Sequence, residues 1–232
     1  MNGKRWWIPA IMLLLILTVI GCIWFIQQNG QIAPTSASVV PQRQVVIDAG
    51  HGGEDGGATS CTGILESGIN LEIALRLEDM LHLLGRKTIM IRREDTSIYT
   101  KGKTIAQKKI SDLKERVRIV NEQGNAVLVS IHQNYFPMTQ YSGPQVFYAD
   151  NTESRLLASA LQKTLISSLA PDCKRKEKSG KGIYLLEKIN TCGVLIECGF
   201  LSNPSEENRL RQSSYQKKIS AAIGAALSTY LS

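Results

Sequence analysis

Three histidines occur in this chain of 232 residues, His51, His82 and His132, and two of them follow short apolar runs directly. Gln44–Ala49 (QVVIDA) reads as a buried strand ending at Gly50, with His51 next. Ala126–Ile131 (AVLVSI) reads as another, followed at once by His132; Val194–Ile196 leads in the same way into Glu197. In open α/β sheets, ligands bind beyond the carboxyl ends of the strands. The three ionisable residues therefore converge on the edge where a site is expected. Two imidazoles and one carboxylate make a familiar catalytic zinc set that leaves one position open for water. Glu66, in the loop before the first domain helix, lies on that edge if the first crossover is right-handed. Glu54, Asp55 and Glu72 compete with it as the third ligand. Hydrolysis at such a site also needs an unligated carboxylate that takes the water proton and passes it to the leaving amine. Glu197, flanked by Leu195, Ile196, Gly199 and Phe200, is the candidate, since these neighbours are unusual for a merely solvated acid. His82 falls off the apolar face of its helix and reads as an ordinary exposed histidine.

Other chemistries fit less well. Gly50, Gly52, Gly53, Gly56 and Gly57 suggest a phosphate cradle, but Asp55 stands where the dinucleotide fingerprint needs its third glycine, and no Lys-Ser/Thr follows. The glycines are read as permitting a tight turn and the approach of substrate backbone to His51. There is no H-E-x-x-H. Of five cysteines, Cys22 lies in the apolar N-terminal stretch, and Cys61, Cys173, Cys192 and Cys198 form no C-x-x-C pair. They read as free or buried thiols, with a Cys192–Cys198 bridge as the alternative.

The elements that must position these residues alternate between strand and helix. A helix is expected from an N-cap at Ser67 to Leu84, closed by Gly85. Lys87–Ile91 is the next strand. Ala106, Ile110, Leu113, Val117 and Val120 recur at helical spacing and mark a second helix stopped at Gly124. After the Ala126–Ile131 strand come a strand over Gln145–Ala149, a helix over Leu156–Leu169, a short strand over Gly182–Leu186, the strand ending at Glu197, and a helix over Tyr215–Leu231. The alternation predicts an α/β fold: a mixed, mainly parallel sheet flanked by helices on both faces, with room for an antiparallel strand after Pro137.

Ahead of this domain, Trp6–Ile26 carries no charge, about the length a membrane-spanning helix needs. Trp6, Trp7 and Trp24 sit near its ends, and Lys4 and Arg5 precede it, which predicts a membrane anchor with everything after about residue 30 outside the cytoplasm. A cleaved signal peptide, leaving a secreted domain, is the rival reading, although its apolar core is normally shorter. The organisation is thus an anchor or signal segment over 1–26, a flexible linker over 27–43 containing Pro34 and Pro41, and a catalytic domain over 44–232. The formal charge is +7. This mild basicity suits an anionic polymer or membrane surface. No basic stripe interleaved with aromatics argues for nucleic acid.

Four blocks of the chain resemble the zinc-dependent N-acetylmuramoyl-L-alanine amidases of bacteria. They are Val46-Ile47-Asp48-Ala49-Gly50-His51-Gly52-Gly53 with Asp55 to Ala58; Glu66 with Asn70 and Leu71; Ser130-Ile131-His132-Gln133-Asn134, preceded by Arg116 and Asn121; and Val194 to Asn203 around Glu197. The resemblance implies one zinc ion held by His51, Glu66 and His132, with Glu197 as the catalytic glutamate. It implies hydrolysis of the amide between the lactyl group of N-acetylmuramic acid and L-alanine in peptidoglycan. Many relatives carry a small residue where this chain has Gln133, so Gln133 and Asn134 are expected to touch substrate. Small size, the N-terminal apolar segment and the Ser-Ile-His-Gln-Asn block look most like the germination-specific branch. That likeness implies a role in spore-cortex maturation beside a peptidoglycan deacetylase that completes muramic-δ-lactam. A non-catalytic wall-binding or partner-docking module and a zinc peptidase acting on wall cross-links are the competing function classes.

Overall fold

The computed structural model describes residues 7–29 and 42–231. It divides into two compact units, Met1–Pro41 and Gln42–Ser232. The first contains one helix, α1 (Trp7–Asn29). Among the described residues no helix is long and apolar enough to cross a membrane. Lys4, Arg5, Trp6 and linker residues 30–41 lie outside the described residues.

The second unit runs β1 (Gln44–Ala49), α2 (Glu66–Leu83), β2 (Thr88–Met90), α3 (Ile105–Glu122), β3 (Ala126–Asn134), β4 (Gln145–Tyr148), α4 (Thr152–Leu169), β5 (Lys178–Ser179), α5 (Tyr184–Lys188), β6 (Cys192–Phe200), α6 (Pro204–Leu210) and α7 (Ser213–Tyr230). The six strands form one sheet in the order β2-β1-β3-β6-β4-β5. All neighbours are parallel except β4, which runs antiparallel to β6, as the irregular stretch after Pro137 suggested. Strand alternation sends Val127, Val129, Ile131, Val194 and Ile196 to one face, where Ile73 and Leu77 of α2, Leu161 of α4 and Ile223 of α7 cover them. Leu128 and Leu195 point to the other face, against Val120 of α3 and Leu185 of α5. Ser130, His132 and Glu197 share the parity of Leu128 and Leu195, so the candidate site opens on this second face.

Several elements differ from the sequence expectation. Helix α2 begins at Glu66, and Ser67 lies buried within its first turn. The first-turn amides need no side-chain cap, because Glu66 N donates to Ala58 O and Ser67 N to Gly56 O. His132 and Glu197 do not follow their strands but sit inside them, paired across β3 and β6. Their polar side chains face the cleft while the backbone ladder continues to Asn134 and Phe200. Gly182–Leu186 is no strand. Gly182 N is held by Glu187 Oε1 at 2.7 Å, and the segment turns into α5. Along α3 the apolar stripe is only half covered, with Val120 buried but Ile110 55% and Leu113 37% exposed.

Candidate metal centre

The centre is assembled by two strands and the first turn of a helix. His51 follows β1 with φ of 61°, left-handed backbone that an L-residue adopts only under tertiary constraint. The constraint is visible: Arg116 of α3 donates to Ala49 O at 3.0 Å and to His51 O at 2.7 Å. Arg116 is buried and ion-paired with Asp48, the acid inside β1, and with Asp112 at 2.5 Å. Burial opposes the charge on Asp48, but Arg116, His132 and Ser130 together outweigh it and hold the carboxyl below its usual range. Arg92 adds bonds to Ala49 O at 2.8 Å, Gly50 O at 3.0 Å and Ser67 O at 2.9 Å. The turn that carries His51 is thus pinned from the sheet, from α2 and from α3.

His51, Glu66 and His132 come together with one ligand atom from each lying within 4.8 Å of the others. His51 Nε2 faces Glu66 Oε2 at 3.3 Å, and His132 Nδ1 faces Glu66 Oε1 at 2.9 Å. The two rings lie 4.9 Å apart and near perpendicular, at 75°. Glu66 is buried and held on every side: Oε2 accepts from Ala58 N at 2.9 Å, and Oε1 from Asn70 Nδ2 and Gln133 N, both at 3.1 Å. Burial disfavours its charge, yet the two histidines drive its pKa far below the usual carboxylate range. His51 Nδ1 pairs with Asp55 Oδ2 at 2.9 Å, while Asp55 Oδ1 takes Lys109 Nζ at 2.7 Å and Gly57 N at 3.3 Å. Burial alone would lower the pKa of His51, but Asp55 and Glu66 reverse this and raise it to about 9.

Glu197 lies opposite His132 in the β3–β6 register. Its Oε2 is buried without a hydrogen-bond partner among the described residues. Burial raises its pKa to about 7, with His132 opposing the rise and Glu66 adding to it. An orphaned carboxylate oxygen beside two imidazoles and a fixed carboxylate fits a divalent ion of the zinc type: the donor set is His₂Glu, and Asp55 supplies the carboxylate that usually orients a ligating histidine. A cleft of about 410 Å³ opens over His51 and His132, lined also by Lys109, Leu113, Arg116 and Tyr184.

Glu54, Asp55 and Glu72 fall outside the cluster. Glu54 pairs with Lys108 at 2.7 Å, Asp55 supports His51, and Glu72 accepts from Gln216 at 2.6 Å. Two of the glycines stand directly against the cluster. A Cβ on Gly50 would lie 2.2 Å from Cε1 and Nε2 of His132, and one on Gly57 would lie 2.6 Å from Glu66 Oε2. Both positions make room for the side chains of the cluster itself. Gln133 is buried, with its side chain beneath the cluster on Asn70, so it lies away from the open cleft. Asn134, half-buried, ends β3. His82 is exposed and meets Thr88 Oγ1 at 2.6 Å. All five cysteines are free. The supporting roles of Asp48, Arg92 and Lys109 were not read from the sequence. Asp48 gave a signal, since an acid inside an apolar strand demands a buried partner.

Residues 45–229 match the family model described as N-acetylmuramoyl-L-alanine amidase. The chain belongs to this amidase family. It is 38% identical over 188 residues to the germination-specific N-acetylmuramoyl-L-alanine amidase of Bacillus subtilis, covering 80% of this chain and 78% of that one. Among solved structures it resembles the CwlD amidase of Clostridioides difficile in complex with the GerS lipoprotein, with a TM-score of 0.79, 38% identity, and coverage of 82% and 98%. An N-acetylmuramoyl-L-alanine amidase of Clostridium difficile 630 aligns with a TM-score of 0.71 and 31% identity, covering 82% of this chain and 96% of that one. The activity of the family is amide hydrolysis in peptidoglycan, and the α/β sheet flanked by helices is the architecture its members share.

Proposed function

We propose that His51, Glu66 and His132 hold a single zinc ion and that Glu197 is the catalytic base of muramoyl–L-alanine amide hydrolysis. The observation that carries this reading is the convergence of the His₂Glu cluster with the unpartnered Glu197 carboxylate at one sheet edge. A bound zinc ion supplies Lewis-acid polarisation of the scissile carbonyl and lowers the pKa of water. Asp55 keeps the Nδ1 proton on His51 and so presents Nε2 to the cluster. Glu66, locked by Ala58, Asn70 and Gln133, supplies fixed negative charge. Glu197 takes the proton of the attacking water and delivers it to the departing amide nitrogen. Its buried, unpaired oxygen favours both halves of that transfer at neutral pH. Asn134, half-exposed at the end of β3, contacts the substrate. Mass spectrometry of muropeptides after digestion with zinc-loaded protein tests the reading. Glycan freed of peptides at the lactyl group supports it, and fully substituted glycan overturns it.

The likeness to the germination-specific relative supports a role in spore-cortex maturation, with the freed muramic acid passed to a deacetylase that completes the lactam. Absence of muramic-δ-lactam from spores lacking this protein is the expected result; unchanged lactam rejects the assignment. The uncharged stretch Trp6–Ile26 supports anchoring in the membrane with the catalytic unit outside the cytoplasm. Retention of the full chain in the membrane pellet under alkaline carbonate is expected, and release into the supernatant rejects it.

A further inference from the structure

We propose that Gln133 is a positioning residue for the metal centre, acting through Asn70 to fix the carboxylate of Glu66; the inference rests on the ligand assignment above. Residues next to a metal-ligating histidine are open to contact with substrate, but strand alternation sends His132 and Gln133 to opposite faces of the sheet. His132 faces the cleft, whereas Gln133 is only 3% exposed. Its Nε2 donates to Asn70 Oδ1 at 3.2 Å. The amide of Asn70, which is fully buried, has both ends committed: Nδ2 donates to Glu66 Oε1 at 3.1 Å and to Gly50 O at 3.2 Å. Both of these partners are acceptors, so the amide of Asn70 has one productive orientation, and the donor from Gln133 satisfies its other end. Reversing Asn70 would set its carbonyl against two oxygens and its amino group against that of Gln133. Gln133 therefore makes the reversed state unfavourable.

The same residue reaches Glu66 directly through its backbone, since Gln133 N donates to Glu66 Oε1 at 3.1 Å. One residue thus fixes both the position of Oε1 and the group that shares it. Gln133 Oε1 makes no hydrogen bond among the described residues, and the amide lies against the buried Cys198 thiol. The donor on Nε2 is consequently the function that a substitution must remove. A small residue at this position would leave Asn70 Oδ1 buried without that donor, free to reorient or to draw in water.

The test compares Gln133→Met, which keeps volume and removes the donor, with Gln133→Asn, which keeps the amide on a shorter stem. Zinc affinity of the full chain is measured by chelator competition, alongside kcat and KM on purified muropeptide substrate. Disturbance of such outer partners typically weakens metal affinity about 10–100-fold. Gln133→Met is expected to lose at least about tenfold in zinc affinity and to lower kcat at saturating zinc with KM little changed; partial recovery is expected in Gln133→Asn. In an Asn70→Ala background the Met substitution adds nothing further. Wild-type zinc affinity in Gln133→Met overturns the inference. So does a rise in KM alone, which would make Gln133 a substrate contact, and so does full additivity with Asn70→Ala. If Gln133→Met melts before assay temperature, Gln133→Leu, which also lacks any donor, takes its place. Failure of the wild-type chain itself to bind zinc would instead reject the ligand assignment.

Discussion

Replacing Gly50 by alanine is the most direct probe of how the fold holds the cluster. The added Cβ would lie 2.2 Å from both Cε1 and Nε2 of His132 and 2.7 Å from Cδ2, whereas ordinary contacts are 3.4–4 Å. Either the ring or the backbone must therefore move by more than an ångström. The backbone is poorly placed to yield: Gly50 N donates to Ile131 O at 3.0 Å, and Gly50 O accepts from Arg92 at 3.0 Å and from Asn70 at 3.2 Å. The ring moves instead, and it carries Nδ1 away from Glu66. Overpacking of this kind costs about 1–3 kcal/mol, and a 1 Å misplacement of a reacting group costs on the order of 100-fold in rate. Gly50→Ala should therefore reduce kcat/KM about 100-fold and weaken zinc binding, with a modest loss of stability in chelator-treated protein. Gly68→Ala is the control, because this exposed helical position has nothing within 4 Å of an added Cβ. It should retain activity and gain up to about 1 kcal/mol from helix propensity. Kinetics, metal stoichiometry and thermal melts on the two variants give the answer. Full zinc content with kcat/KM within about twofold of wild type in Gly50→Ala would refute the claim that Gly50 exists to admit His132.

Glu197→Gln should retain zinc while losing about 10²–10⁴-fold in kcat; loss of metal in parallel would make Glu197 a ligand instead. Glu197 must be ionised to accept a proton, and its pKa is raised to about 7, so activity falls as pH drops through that range. A nearby bound cation favours the ionised form, so the acidic limb of kcat/KM should lie at or below pH 7; a limb well above 7 would contradict the assignment. In zinc-free protein, the folded-state pKa of His51 is raised from 6.5 to about 9. The stability this contributes, roughly 3 kcal/mol, is fully present below pH 6.5 and is lost as pH rises through about 9. Urea unfolding in chelator at pH 6 and pH 9.5 should show the loss in wild type and a smaller one in Asp55→Asn. Arg116→Ala leaves Asp48 buried without its partner and should cost about 3–5 kcal/mol, read by denaturant melts; a change below about 1 kcal/mol would show that the pair does not hold the turn.

The core strands and the long helices were legible because their signals are local. An apolar run such as AVLVSI, or Ile73, Leu77 and Leu81 at helical spacing, declares its class wherever it packs. His51, His132 and Glu197 were legible for a related reason, since polar residues that continue apolar strands mark the carboxyl edge of a sheet. His51 does follow β1, but the placement of His132 and Glu197 after their strands rather than within them was misjudged because strand ends are set by pairing with a neighbour. The β3–β6 ladder runs to Asn134 and Phe200, and nothing in either strand alone records that. Short elements failed for the same reason. Gly182–Leu186 carries strand-like residues, yet a single contact from Glu187 to Gly182 N diverts it into α5. The start of α2 was misplaced because its first amides are satisfied by loop carbonyls at Gly56 and Ala58, which no capping residue advertises.

The side chains of the cluster themselves explain little of the site's geometry. Arg92 and Arg116 are buried and lie outside the cluster, yet between them they hold the carbonyls of Ala49, Gly50 and His51, with Asp48 pairing Arg116. Burying two guanidinium groups is costly unless they are fully paired, and a hydrophobic substitute would pack the same space at less risk. What the arginines provide is direction: each presents several donors in fixed geometry to backbone oxygens that converge at the end of β1. That convergence stabilises the left-handed conformation at His51, which in turn brings its ring within 4.9 Å of His132. Glu66 is held by a different set, through Ala58, Asn70 and Gln133. Two clamps therefore converge on one cluster, and they meet at Gly50 O, which accepts from both Arg92 and Asn70. A change in the α3 clamp should disturb His51 first, whereas a change in the α2–β3 clamp should disturb Glu66 first.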